Sequence, residues 1–485
     1  MVNLKNQALF KQQNYINGIW VNAKSNNTLD VFNPFNNEKI GTIPNSGIDE
    51  TKAAINAANS AFKLWKSKTA QERSTIINRW ATLIDENKED LAKIMTVEQG
   101  KPLTEAIGEI NYGNSFNKWF AEEAKRIYGD VIPTNNNDRR LIVIKEPIGV
   151  CAAITPWNFP NAMITRKCAP ALASGCTLVI KPSELTPFSA FALMELATQA
   201  GFPAGVINMV TGDAKLIGEE MCKNKLVKKL SFTGSTRVGK LLMQQCSDSL
   251  KKISLELGGN APFIIFEDAD IKASVDGVLA AKFRNSGQTC VSANRVYVHE
   301  KIYVQFVTEL TNHVKKLQVG NGLDSEINVG PLINQAGIEK VERLINDAVS
   351  HGAKIICGGK RHTSSVNAYE PTIVEDVSET MSSISCEEIF GPVIALYRFN
   401  DERDVINRAN NTPYGLAAYF YSRDISKVWR VAEELEFGII SINKGIFSTE
   451  AAPFGGMKES GFGREGSKYG IDDFIQVKYL CMGIN

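Results

Sequence analysis

Between Leu141 and Ser247 the chain alternates short apolar runs with stretches of helical period, and no other feature narrows its possible folds as much. Leu141-Ile-Val-Ile-Lys-Glu-Pro-Ile-Gly-Val-Cys-Ala-Ala-Ile154 reads as strand, turn, strand. A short buried strand follows at 178–181, a helix at 188–199, a strand at 206–210, a helix at 214–222, a strand at 229–233 and a helix at 236–247. Strands separated by helices predict βαβ units and a parallel sheet, because parallel neighbours need a long crossover. A second region repeats the pattern, with strands at 262–266 and 294–298, helices at 271–284, 301–317 and 337–352, and an end near Ile442. Residues 47–126 read as helical: Thr69-Ala-Gln-Glu72 has capping-box spacing, and Ile76, Ile77, Trp80 and Leu83 follow at helical period. The stretch 474–481 is strand-like, and Asn135-Asn-Asn-Asp138 suits a hairpin tip.

A chain of 485 residues exceeds one ordinary core, and its length suggests roughly three domains. Net charge is +1 with 22% charged residues, which points away from nucleic acid and from membrane surfaces. The N-terminal Met-Val-Asn-Leu-Lys-Asn-Gln has no apolar segment of a secretory signal. No apolar run is long enough for a bilayer. Nine cysteines, an odd number without a CxxC pair, and four dispersed histidines predict reduced thiols, a cytoplasmic setting and no structural metal.

Chemistry concentrates in two segments. Cys290 lies in Phe283-Arg-Asn-Ser-Gly-Gln-Thr-Cys-Val-Ser292, and Glu256 lies 34 residues earlier in Ser254-Leu-Glu-Leu-Gly-Gly-Asn260. A free cysteine is commonly an inert buried thiol, but one on a Gly-containing turn can act as a nucleophile. A carboxylate among apolar neighbours has its pKa raised toward that of a useful base. Together they suggest covalent acyl chemistry, with a thiolate capturing a carbonyl and a base later activating water. Lys181-Pro-Ser-Glu184 follows a strand end, where open α/β sheets bind ligands. Phe232-Thr-Gly-Ser-Thr-Arg-Val-Gly239 joins strand, Gly turn and helix start, which suits a pyrophosphate but is not a GxGxxG fingerprint.

Glu-Leu-Gly-Gly and Gly-Gln-Thr-Cys at this separation resemble the aldehyde dehydrogenase superfamily, over essentially the whole chain. The resemblance implies an α/β fold with a Rossmann-type NAD(P)-binding domain (1–126 and 147–255), an α/β catalytic domain (256–445) and a small β oligomerisation element (127–146 and 472–485). It implies a homo-oligomer, dimer or tetramer, acting on a small-molecule aldehyde. It assigns Cys290 as nucleophile, Glu256 as base, and the Asn158 amide with the Cys290 N–H as oxyanion hole. Cofactor contacts fall on Trp157, Lys181, Ser183, Glu184, Gly212, Gly234, Ser235, Leu257, Glu388 and Phe390. Glu184 can accept hydrogen bonds from ribose hydroxyls and would repel a 2′-phosphate, so NAD is expected over NADP.

Ala162-Met-Ile-Thr-Arg-Lys167, Lys282-Phe-Arg-Asn285 and Gly463-Arg-Glu-Gly-Ser-Lys-Tyr-Gly-Ile471 resemble succinate-semialdehyde dehydrogenases most closely. That resemblance makes Arg166, Arg284 and Ser448 the binding site of a distal carboxylate. Three alternatives remain: a general aldehyde dehydrogenase, one for another ω-carboxy aldehyde such as glutarate semialdehyde, or a non-catalytic scaffold of this fold. Intact Cys290, Glu256 and Asn158 argue against the last.

Overall fold

The alternating segment folds into parallel β-structure in a computed structural model that describes residues 3–484. The first two residues of the N-terminal reading, and the last of the 472–485 segment, lie outside the described residues. Strands Ile207–Met209, Thr177–Lys181, Val150–Ile154, Val227–Thr233 and Lys252–Glu256 lie side by side and all run parallel. Antiparallel strands close both flanks: Asn14–Ile16 and Ile19–Val21 on one side, Gly461–Phe462 on the other. The second sheet has seven strands in the order Lys354–Cys357, Thr372–Glu375, Val393–Phe399, Ala293–His299, Ala261–Ile265, Ala417–Tyr421, Ile439–Ile442, parallel except for the first pair. Its Ala293–His299 strand is buried at every residue, the two-sided burial expected of a covered parallel sheet. A three-stranded antiparallel sheet joins Asp130–Ile132, Arg139–Pro147 and Ile475–Gly483.

The helical reading of 47–126 resolves into Ile48–Ser67, Ala70–Glu86, Lys88–Gln99 and Leu103–Glu123. The capping box is real: Thr69 Oγ1 accepts the Glu72 N–H at 3.2 Å, and Glu72 Oε2 accepts the Thr69 N–H at 2.7 Å. Sequence reading assigns no element before residue 47 and no helix at Ala162–Ser174. That helix is buried at every position, so it shows no amphipathic period, and Pro170 inside it argues for a break. Among the described residues, no helix is long and apolar enough to cross a membrane. All nine cysteines are free thiols.

Topology fixes where chemistry can occur. Asn158, Lys181, Gly234 and Glu256 lie at or just beyond the carboxyl ends of first-sheet strands. Gly259, Cys290 and Phe390 lie just before the amino ends of second-sheet strands. The cleft between the two sheets collects both sets, as open α/β sheets bind ligands beyond their strands' carboxyl ends.

Candidate active site

The nucleophile loop begins where helix Ile271–Phe283 stops. Asn285, Ser286 and Gly287 adopt φ of 52°, 56° and 76°, three successive left-handed residues of which only the last is glycine. Such backbone is costly and persists only where its surroundings over-determine it. Here the Asn285 N–H donates to Glu105 Oε2 at 2.7 Å, and Ser286 Oγ to the Gly330 carbonyl at 2.8 Å. Gln288 Oε1 accepts the Ile333 N–H at 2.9 Å. Cys290 emerges half-buried from this turn. Burial, then the Glu388 carboxylate, push its thiol up to about 12, while Arg166 opposes them. The resting group is therefore a thiol that needs a base to remove its proton.

Glu256 ends its strand, paired with Thr233 on one side and Gly461 on the other. Burial, then the neighbouring Glu465 carboxylate, raise its carboxyl well above the ordinary range, against Arg166 and Lys167. Its Oε2 is buried without a hydrogen-bond partner.

Asn158 Nδ2 donates to the Gln288 carbonyl at 3.1 Å, which leaves its second N–H toward the cleft. The Asn158 carbonyl accepts from Lys101 Nζ at 2.8 Å and from Asn285 Nδ2 at 2.9 Å. The loop bearing Asn158 and the loop bearing Cys290 are thus tied together directly.

Two cavities meet at Cys290. One, of about 360 Å³, is walled by Trp157, Asn158, Gly234, Ser235, Glu256, Leu257, Gly258, Glu388 and Phe390, with Ile333, Asn334 and Lys340 on its far side. Ser235 caps helix Thr236–Cys246, accepting the Val238 N–H, so a helix N-terminus faces this space. Trp157 and Phe390 meet edge to face at 5.5 Å. Glu388 Oε1 accepts the Gly259 N–H at 3.2 Å, and burial pushes this carboxyl up to about 7. The other cavity is narrow and brings together Tyr112, Phe159, Met163, Arg166, Arg284, Ser448 and Phe454. Cys290 is the one residue that lines both.

Glu184 lines an adjoining cavity that shares Ile333 and Asn334 with the first. Its Oε2 accepts from Lys181 Nζ at 2.6 Å. Burial alone would raise this carboxyl, but the Lys181 ammonium outweighs it and holds the pKa below the ordinary value. Ser183 is buried and accepts the Leu185 N–H at 3.2 Å. Gly212 stands apart from these cavities: its Cα packs on the Ser46 backbone at a φ of 136°, where a side chain has no room.

Sequence reading missed three residues here. Glu465 lies 2.6 Å from Arg166 Nε and also pairs with Lys167 Nζ. The Arg166 contact is ionic without a well-aligned hydrogen bond, and Arg166 Nη2 is buried with no acceptor. Tyr112 brings a buried, unpartnered hydroxyl into the same narrow cavity. Glu105 holds the nucleophile turn. Glu465 lay inside the matched stretch 463–471, so it was within reach of the reading; nothing local marks Tyr112 or Glu105.

The family model for the aldehyde dehydrogenase family matches residues 20–480. The chain belongs to that family, and its activity is the NAD(P)-dependent oxidation of an aldehyde to a carboxylic acid. It is 58% identical to the NADP(+) succinate-semialdehyde dehydrogenase of Escherichia coli, over 99% of this chain and 100% of that one. It is 56% identical to a glutarate-semialdehyde dehydrogenase of Pseudomonas putida, over 99% and 100%. A solved succinate-semialdehyde dehydrogenase from Burkholderia pseudomallei superposes with a TM-score of 0.98 at 54% identity, covering 99% of this chain and 100% of that one.

Proposed function

We propose that this protein oxidises succinate semialdehyde to succinate with NAD, through covalent capture of the aldehyde on Cys290. The observation that carries this reading is the position of Cys290 as the one wall residue common to the cleft at the strand ends and a narrow cavity holding two arginines. Both named relatives act on aldehydes with a distal carboxylate. The guanidinium groups of Arg166 and Arg284, with the Ser448 hydroxyl, supply donors for such a group.

The cleft residues fit a nicotinamide dinucleotide: a helix N-terminus at Ser235 for the pyrophosphate, Lys181 and Glu184 for the adenosine ribose, and Glu388 with Phe390 for the nicotinamide ribose. When bound, this cofactor supplies the hydride acceptor. The protein's own groups do the rest. A base takes the proton of the Cys290 thiol, and the two carboxylates that share its cavity, Glu388 and Glu256, are the candidates. The thiolate then adds to the aldehyde carbon, and the Asn158 N–H and Cys290 N–H stabilise the oxygen as it gains charge. After the adduct is oxidised, the Glu256 carboxylate, any proton from the thiol having passed to solvent, takes a proton from water attacking the thioester; the carbon–sulfur bond breaks, the Cys290 thiolate is restored and the carboxylic acid leaves.

In this reading residues 1–126 and 147–255 bind cofactor, 256–445 carry the nucleophile, and 127–146 with 472–485 assemble copies of a cytoplasmic homo-oligomer. The test is kcat/KM for succinate semialdehyde, glutarate semialdehyde and butanal. Succinate semialdehyde should lead, and an equal value for butanal would return the enzyme to general aldehydes.

Glu184 decides the cofactor. Its ionised carboxylate, paired with Lys181, would meet a 2′-phosphate as a like charge in place of the ribose hydroxyl it can accept from. The NADP(+) named for the Escherichia coli relative is therefore not expected here as the preferred cofactor. Glu184→Ser should narrow the NAD preference by about tenfold or more, the effect of removing roughly 1.4 kcal/mol of repulsion. A wild-type kcat/KM higher with NADP would overturn this assignment.

A further inference from the structure

Lys101 and Glu109 form an ion pair whose side chains are each only 1% exposed. Neither lines the cofactor cleft or the narrow cavity. A buried pair that only neutralises itself is usually no better than apolar residues of the same volume, so the further contacts of these two groups matter. Lys101 Nζ donates to Glu109 Oε2 at 2.5 Å and to the Asn158 carbonyl at 2.8 Å, and stands 4.1 Å above the Phe159 ring. Glu109 Oε1 accepts the N–H groups of Asn161 at 2.9 Å and Ala162 at 3.2 Å, at the start of the helix that carries Arg166.

Both ends of segment 158–162 are thereby fixed to the entry of helix Leu103–Glu123. One turn along that helix's start, Glu105 fixes the other loop through the Asn285 N–H. Asn285 Nδ2 returns to the same Asn158 carbonyl that Lys101 holds. The Asn158 carbonyl is thus gripped from both sides, while its side-chain Nδ2 donates to the Gln288 carbonyl and its Oδ1 accepts the Phe159 N–H.

We propose that the Lys101–Glu109 pair is a positioning device that sets the Asn158 amide in register with the Cys290 N–H. It rests on the reading of Asn158 as an oxyanion donor. Donors of this kind act only when held close to the place where negative charge develops. Small displacements around a reacting centre cost up to about a hundredfold in rate. The pair touches neither aldehyde nor cofactor, so its removal should act on every aldehyde alike.

The experiment uses Lys101→Met together with Glu109→Gln, because the replacement amide oxygen can still accept from Asn161 and Ala162 and no lone charge is left buried. The single Lys101→Met variant accompanies it. The expected result is a fall in kcat of about 10- to 100-fold for succinate semialdehyde and butanal equally, with KM for both and cofactor affinity nearly unchanged. In an Asn158→Ala background the same double substitution should cost less than about twofold further, because the donor it positions is gone. Full multiplication of the two losses, a loss confined to the charged substrate, or an unchanged kcat in the folded double variant would overturn the proposal. An undiminished kcat in Asn158→Ala alone would remove the oxyanion reading and this proposal with it.

Discussion

Cys290→Ala is expected to end turnover, and Glu256→Gln to allow one round of hydride transfer and then stop. The reason is the division of labour across the cleft. Without the thiol there is no carbon–sulfur adduct from which hydride can leave. Without the Glu256 carboxylate, Glu388 still faces the thiol and can take its proton, so the adduct can still form and be oxidised, but water lacks a base for the thioester. General-base removal costs about 10²- to 10⁴-fold, so the Glu256→Gln steady state should fall by that factor while a burst of NADH remains. The pH dependence follows with a definite sign. Burial and the Glu465 carboxylate raise the Glu256 carboxyl, so the base is lost as pH falls through that raised value. Wild-type kcat should therefore decline on the acid side well above the range of an ordinary carboxylate, and Glu256→Gln should lose that limb. Normal turnover in Cys290→Ala would end the covalent account.

The second large effect concerns the distal carboxylate, and the two arginines should not behave alike. Arg284 lies 5.4 Å from the Phe159 ring, in the same narrow cavity as Cys290. Its loss should cost about 10- to 150-fold in kcat/KM for succinate semialdehyde, the value of a charge-assisted hydrogen bond, with butanal nearly unaffected. Arg166 serves the cavity through its unpartnered Nη2 but also faces Glu465 at 2.6 Å. Removing it leaves Glu465 with Lys167 alone and strips a positive charge from beside Glu256. Arg166→Leu should therefore damage oxidation of both aldehydes and move the acid limb upward in pH. A butanal activity untouched by Arg166→Leu would show that Glu465 and Glu256 are not coupled through it.

Much of this molecule was legible from its sequence, for identifiable reasons. Parallel strands buried on both faces read as short apolar runs, which is why Thr177–Lys181 and Ala261–Ile265 were visible within two residues of their ends. Thr69 and Glu72 announced a helix start because a capping box is local. Helix Ala162–Ser174 was illegible because complete burial erases periodicity and Pro170 argues for a break. At the site the same division holds. The segments around Cys290 and Glu256 are contiguous in sequence and so could be matched as motifs. The charge that holds Arg166 and Lys167 comes from Glu465, 298 residues beyond Lys167, and no local pattern links such partners. Gly212 was read as a cofactor contact, but a glycine is equally required where backbone packs on backbone, as it does against Ser46. The carboxylates at 105 and 109 look like ordinary helix charges until the fold carries them under the two active-site loops.

The central claim is that an ω-carboxylate aldehyde is held as a thioester on Cys290 until Glu256 activates water. The most direct measurement is the mass of the Glu256→Gln protein after mixing with succinate semialdehyde and NAD, followed by peptide mapping. The account predicts one succinyl group per chain, on the peptide carrying Cys290, formed together with one equivalent of NADH and absent from the Cys290→Ala, Glu256→Gln double variant. NADH formation with Cys290 unmodified, or a succinyl group on any other residue, would contradict it.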